Sequence, residues 1–346
     1  MNTGKLGSLR STLLASSLGL ASLALAIGTA TAGDVGLAGG PRHLEAGQPV
    51  AMVHPTVEQA QRARASSESS PTSGGSNNLS YHSYKSHYGG SGGFGVQTAP
   101  AIYVVFWGSQ WNNNDPSGEA TILESFYAAL SGSGWSATDT QYCEGVASGT
   151  VFCNGKGTAA GNSPMYVSSW YDNATAAPTQ PTQSQIAAEA VRAAGYFGNT
   201  SGSVNANAQY VIATATGNNS LGFTRYEYCA WHSSTGSIYG NLPYTYLPYI
   251  TDAGQACGAN FTDANGVSLG PDAGITIVAG HEMAESVTDP FPSTGWVDGS
   301  GSEIGDKCAW SSATADETFG GSAFPVQPLW SNADNSGAGG CVMSYP

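Results

Sequence analysis

Residues 275–290 read ITIVAGHEMAESVTDP, and the reading of this stretch decides the rest. Ile275, Ile277, Val278, Ala279, Met283, Ala284 and Val287 surround three polar side chains, His281, Glu282 and Glu285. The run predicts a strongly apolar helix over residues 274–287, stopped by Asp289-Pro290 because proline cannot continue a helix. His281 and Glu285 are four apart, which puts both on one helix face, one turn from each other. That is the spacing of the two ligands in H-E-x-x-H zinc sites, where the intervening glutamate is the general base. Here Glu285 stands in place of the second histidine, and Glu282 holds the base position. A carboxylate binds zinc at about the same distance as an imidazole does. On its own HExxE is a weak pattern, and its plain alternative is a solvated helix face. The apolar setting favours the metal: two carboxylates and an imidazole in a buried helix are costly unless a cation satisfies them. Gly280 lowers helix propensity and permits a close approach of backbone or substrate.

A third ligand must come from outside the helix. EIGDKC (residues 303–308) follows in the next loop, and Asp306 is preferred as ligand, with Glu303 orienting from behind. A zinc ion held by His281, Glu285 and Asp306 would lower the pKa of a bound water. Glu282 would take its proton and pass it to the leaving amine. A further donor to the tetrahedral oxyanion is sought in His232, Tyr239, Tyr244 or Tyr246, with no basis for choosing among them. His232 has a structural alternative beside Cys229, and His82 or His87 could cap the metal in a latent form. The same acids could instead form a calcium site from Asp298, Glu303 and Asp306, although the loop lacks the D-x-[DN]-x-[DN]-G spacing. A two-carboxylate glycosidase is also compatible, since sequence does not give the separation of the acids. Residues 89–93 match G-x-S-x-G but lie in a glycine-rich run rather than at a strand-to-helix elbow.

Around this centre the chain reads as a single α/β or α+β domain over residues 99–346. AIYVVFW (residues 101–107) is a buried strand, and residues 118–130 and 183–194 carry helical spacing. Residues 165–171 and 209–215 (QYVIATA) are further strands; 223–231 and 244–250 are aromatic-rich and extended. Residues 33–98 differ. They hold Arg42, Arg62, Arg64 and Lys85 and four of the six histidines, with a polar low-complexity run at 66–78 and a Gly-rich run at 89–95. This composition predicts a leader or propeptide with a flexible linker that does not fold alone.

Residues 1–32 have the form of a cleavable signal peptide: Lys5 and Arg10, an apolar run to Ile27, then Ala30-Thr31-Ala32. An exported chain with six cysteines predicts three disulfides. Of fifteen possible pairings, sequence proximity favours Cys143–Cys153, Cys229–Cys257 and Cys308–Cys341. The net charge is −14, and the signal carries two positive charges and no negative ones, so the remainder carries −16. After residue 90 only Lys156, Arg192, Arg225 and Lys307 are basic. That argues against nucleic acid and anionic membrane as partners. A soluble, extracellular monomer acting on a peptide or protein, or on cell-wall material, is expected.

Four stretches carry a resemblance: AIYVVFWGSQW (101–111), QYVIATA (209–215), CAWHSSTGSIYG (229–240) and DAGITIVAGHEMAESVTDPFPSTGWVDGSGSEIGDKC (272–308). Together they resemble the exordium / phosphate-induced protein family. Its plant members are extracellular, wall-associated proteins without a settled enzymatic role. Their corresponding helix lacks the His-Glu pair, so the presence of His281, Glu282 and Glu285 points to a bacterial secreted branch with a zincin-like site. The resemblance implies a zincin-like α+β fold, a mixed sheet packed with helices. The functional expectation is a secreted zinc endopeptidase. The rivals are a non-enzymatic wall protein and a calcium-stabilised carbohydrate-active protein.

Overall fold

A computed structural model describes Met1 and residues 39–68, 77–84, 94–163 and 165–346. The chain divides into two units, Met1–Val35 and Gly36–Pro346, and all that follows concerns the second. The signal-peptide reading, His87 and the 89–93 motif lie outside the described residues.

A seven-stranded mixed sheet forms the frame. Its strands are β1 (Gly40–Arg42), β2 (Ala51–His54), β3 (Ala101–Trp107), β4 (Tyr166–Asp172), β5 (Ala208–Thr214), β6 (Ala230–Ser237) and β7 (Gly240–Leu247), in the order β1-β2-β6-β7-β5-β3-β4. β3 pairs with β4 and β5 in parallel, and β5 with β7 in parallel; β1–β2, β2–β6 and β6–β7 are antiparallel. The parallel centre follows from the continuous apolar runs: every residue of β5 is buried, and all of β3 after Ala101, as strands covered on both faces require. Parallel neighbours need crossovers, supplied by α2 (Glu119–Leu130) between β3 and β4, and α3 (Gln183–Tyr196) between β4 and β5. Thr182 caps α3 reciprocally with Gln185, satisfying two otherwise unpaired amides.

The 275–290 stretch forms α4 (Ala273–Thr288), with all sixteen residues buried. It lies against β6 and β7 on one side, and against α2 and the hairpin of Ala315–Phe319 and Ser322–Val326 on the other. A helix buried all round is apolar all round, so the few polar groups it carries need specific partners. Thr276 donates to Pro325 O (2.6 Å) and Ser286 meets Thr245 Oγ1 (3.4 Å). The close approach read into Gly280 is to the core: a Cβ there would lie 3.1 Å from Trp135 and 3.2 Å from Phe126.

Segment 39–68, expected as part of a leader, is built into this frame. β1 and β2 extend the sheet, and α1 (Val57–Glu68) is tied to the 309–310 turn by Arg64, which donates to Ala309 O (2.6 Å) and Trp310 O (3.0 Å). Composition hid this because a strand added to an existing sheet needs no core of its own, and the apolar run at 50–53 is short. Three disulfides join Cys143 to Cys153, Cys229 to Cys257 and Cys308 to Cys341, and they fit an extracellular protein. Among the described residues no helix is long and apolar enough to cross a membrane.

Candidate metal centre

Three chain segments converge beside α4. The helix projects His281, Glu282 and Glu285 to one side. It ends at Asp289, whose carboxylate accepts from the Ser293 and Thr294 amides (2.8 and 3.0 Å) and the Thr294 hydroxyl (2.9 Å). β6 supplies His232. Side chains alternate across a strand, so Trp231 and Ser233 point to the other face, and His232 shares the α4 face with Thr245 opposite it on β7. β2 runs antiparallel to β6 with Met52 opposite His232, which places His54, two residues on, on that same face. The loop after α4 supplies Glu303 and Asp306, pinned by the Cys308–Cys341 bridge.

The spacing is close. His281 Nε2 lies 2.9 Å from Glu285 Oε1 and 3.9 Å from Asp306 Oδ1. His232 Nδ1 lies 3.3 Å from Glu282 Oε2 and 3.8 Å from Glu285 Oε2, and its Nε2 lies 3.6 Å from Glu303 Oε1. The His54 and His281 rings sit 3.9 Å apart between centroids. His54, His232, His281, Glu282 and Glu303 are fully buried and Glu285 is 1% exposed.

The hydrogen bonds fix each histidine. His232 Nε2 donates to Asp289 O (3.2 Å), His54 Nδ1 to Pro55 O (2.8 Å), and His281 Nδ1 to Gln327 Oε1 (3.2 Å). A carbonyl oxygen only accepts, so in each ring one nitrogen is the donor and the other carries a lone pair. Those lone pairs include His232 Nδ1, which faces Glu282 and Glu285, and His281 Nε2, which faces Glu285 and Asp306. A second carbonyl partner that sets the tautomer is the usual companion of a metal-ligating histidine. His54 Nε2, His281 Nε2, Glu282 Oε1, Glu285 Oε2, both Glu303 oxygens and Asp306 Oδ1 are buried without a hydrogen-bond partner. Orphaned atoms at this density are foreign to a finished interior.

Electrostatics reinforce the point. Burial pushes His232 and His281 down to about 3 and lowers His54, so all three imidazoles are neutral. Burial raises Glu285 to about 8, and burial with mutual repulsion raises Glu282, Glu303 and Asp306 well above the usual carboxylate range. Among the described residues the salt bridges of these acids reach histidines alone; Arg42 lends Asp306 a small favourable field. Such a set is stable with divalent cations bound or with protons in their place.

The structure therefore gathers His232, His281, Glu282, Glu285, Glu303 and Asp306. The remaining sequence candidates lie elsewhere. Tyr244 and Tyr246 project from the other face of β7, where the Tyr246 hydroxyl accepts from the Ser220 amide (2.8 Å), and the Tyr239 ring packs against Gly195. His82 sits on Ser80–His82, paired with Gly295–Val297, and its Nε2 meets Ser80 Oγ (3.3 Å). Asp298 is held by Lys307 Nζ at 2.8 Å and does not join the acid cluster.

Three contributors were not foreseen. His54 was placed in the leader. Gln327 is a solitary loop residue; its Nε2 donates to Gly305 O (2.8 Å), which turns Oε1 toward His281. Gly305 passes so near that a Cβ there would lie 2.6 Å from His281 Nδ1 and 2.9 Å from Glu285 Oε1. The alternation along β2 could have paired His54 with Met52 on one face, but nothing local reveals Gln327. No family model, no curated protein and no solved structure matches this chain.

Proposed function

We propose that this is a secreted, zinc-dependent hydrolase, most simply an endopeptidase, of zincin-like design and related to the exordium / phosphate-induced proteins through a bacterial branch. One observation carries the reading: lone pairs of neutral, carbonyl-anchored histidines face buried, unpartnered carboxylates on an HExxE helix. His281 Nε2, Glu285 and Asp306 would hold the ion. Bound zinc supplies Lewis acidity toward a carbonyl and toward water. Glu282 accepts a proton through Oε1, which has no partner, and returns it to the leaving amine. His232, anchored by Asp289 O, presents the bare Nδ1 3.3 Å from Glu282 Oε2. Glu303 adds negative charge behind the site.

The test is metal content together with cleavage of a denatured protein substrate. Zinc bound to the purified protein should be lost in Glu285→Ala. Glu282→Gln should keep the ion at His281, Glu285 and Asp306 yet lose cleavage by at least a hundredfold. A wild-type protein that folds without binding zinc removes this reading, and full activity in Glu282→Gln removes the mechanism.

A further inference from the structure

A single ion leaves charge unaccounted for. Glu282, Glu285, Glu303 and Asp306 form one buried group of four carboxylates, whose ion-pair contacts among the described residues are to His232 and His281. With all four ionised, one divalent cation cancels two of the four charges, whereas two cations cancel all of them.

The geometry divides the ligands the same way. His281, Glu285 and Asp306 offer one atom each within 4.8 Å of one another, and so do His232, Glu282 and Glu285. Glu285 alone belongs to both groups, through different oxygens. Its Oε1 is 2.9 Å from His281 Nε2 and accepts from the Asp306 amide (3.0 Å). Its Oε2 is 3.8 Å from His232 Nδ1 and has no hydrogen-bond partner. The two groups also share a plan: each has one imidazole whose far nitrogen donates to a carbonyl oxygen, leaving the near nitrogen as a lone pair. His232 Nδ1 cannot hydrogen-bond an ionised Glu282 3.3 Å away, because neither atom carries a proton. Glu303, fully buried with both oxygens unpartnered, lies on the other side of that imidazole, 3.6 Å from Nε2.

We infer that the centre binds two divalent cations bridged by Glu285, the first held by His281 and Asp306 and the second by His232 Nδ1 and Glu282 Oε2. The inference rests on the metal reading of His281, Glu285 and Asp306 and adds a second site to it. Glu282 would ligate through Oε2 and keep Oε1 for the proton, so its two tasks use different oxygens. Carboxylate-bridged pairs of this kind place their ions about 3.5–4 Å apart and clamp both the attacking and the departing oxygen of a hydrolysed bond.

The experiment uses the full chain, dialysed against Zn2+ or Co2+ and counted by elemental mass spectrometry. Two ions per chain are expected. Glu282→Gln and His232→Gln should each retain one, with near-UV circular dichroism reporting that the fold is kept. X-ray absorption on the zinc-loaded wild type should show a metal–metal shell at about 3.5–4 Å. One ion per chain overturns the second site and leaves the first standing, while no ion overturns both. Two ions persisting in Glu282→Gln and His232→Gln put the second ion elsewhere and overturn the assignment. Absence of the metal–metal shell overturns it even if both variants fail to fold.

Discussion

His281 Nδ1 donates to Gln327 Oε1 across 3.2 Å, and the Gln327 amide is itself held by Gly305 O at 2.8 Å. This relay decides which imidazole nitrogen is bare. With Gln327 turned, or gone, His281 can place its proton on Nε2 and lose its capacity to ligate. Gln327→Leu should therefore lower zinc affinity about 10–100-fold, although Gln327 never reaches the acid cluster. It should also cost about 0.5–1.5 kcal/mol through the lost Gln327 bond to Gly305 O, which keeps its bond from the Cys308 amide (3.0 Å). Competition against a chromogenic chelator measures the first effect and urea unfolding the second. Unchanged zinc affinity in a folded Gln327→Leu protein would leave the relay without a role.

Removal of metal should weaken the whole fold. An ion that binds only the native state stabilises it by about 4 kcal/mol at a thousandfold excess over Kd, and once it leaves the four buried acids must take up protons or repel one another. Chelation at pH 7 should lower the melting temperature by several degrees. A variant with Glu282→Gln, Glu285→Gln, Glu303→Gln and Asp306→Asn should respond far less, having neither ion to lose nor charge to release. Differential scanning calorimetry with and without chelator compares the two. An identical wild-type melting temperature in chelator contradicts a bound cation.

Gly305 is where the loop presses on the site. Its backbone dihedrals are helical, φ −81° and ψ −44°, so any residue could adopt them, and the constraint is space. The Cβ of Gly305→Ala would enter within 2.6 Å of His281 Nδ1. Overpacking of this sort costs about 1–3 kcal/mol, and here the nearest yielding atoms belong to the proposed ligands. The variant should lose zinc affinity and stability together. Ala substitution at Gly299, where a Cβ meets nothing within 4 Å, serves as the control.

How much of this was legible in the sequence depends on the range of the interaction. β3, β5, α2, α3 and α4 were readable within a residue or two because each carries its own period or apolar run. The HExxE face was readable because His281 and Glu285 are one turn apart in the same helix. Cys143, Cys229 and Cys308 pair with the next cysteine in the chain, so proximity sufficed. β6 was misplaced: the run 223–231 was read as extended, while the strand begins at Ala230 and 221–224 form a helical turn. All of β6 after Trp231, HSSTGS, carries no apolar signal, and its outer end is only partly buried. His54 and Gln327 reach His281 from 227 residues upstream and 46 residues downstream. Such contacts are set by strand register and loop packing, which no local pattern encodes.

A second buried acid gives the protein a pH dependence of its own, away from the proposed metal. Glu189 on α3 lies beside Asp172 at the end of β4, and Arg192 bridges both, hydrogen-bonded to Asp172 and 3.4 Å from Glu189 Oε2. Burial, with Asp172 adding to it, raises Glu189 to about 8 against the opposing pull of Arg192. Protonated Glu189 can donate to Asp172. A carboxyl whose folded-state pKa is raised stabilises the fold fully below its unfolded value near 4.5, and that contribution is lost as pH climbs through about 8. Glu189→Gln keeps the donor without the charge. Relative to this variant, the wild type should lose about 1–3 kcal/mol between pH 4.5 and pH 8, and the two should agree most closely at the acid end. Urea midpoints for both proteins across that range give the difference curve directly, and effects common to both, including those of the acid cluster on α4, cancel in it. A flat difference curve would mean that Glu189 is ionised throughout, with Arg192 outweighing both its burial and Asp172.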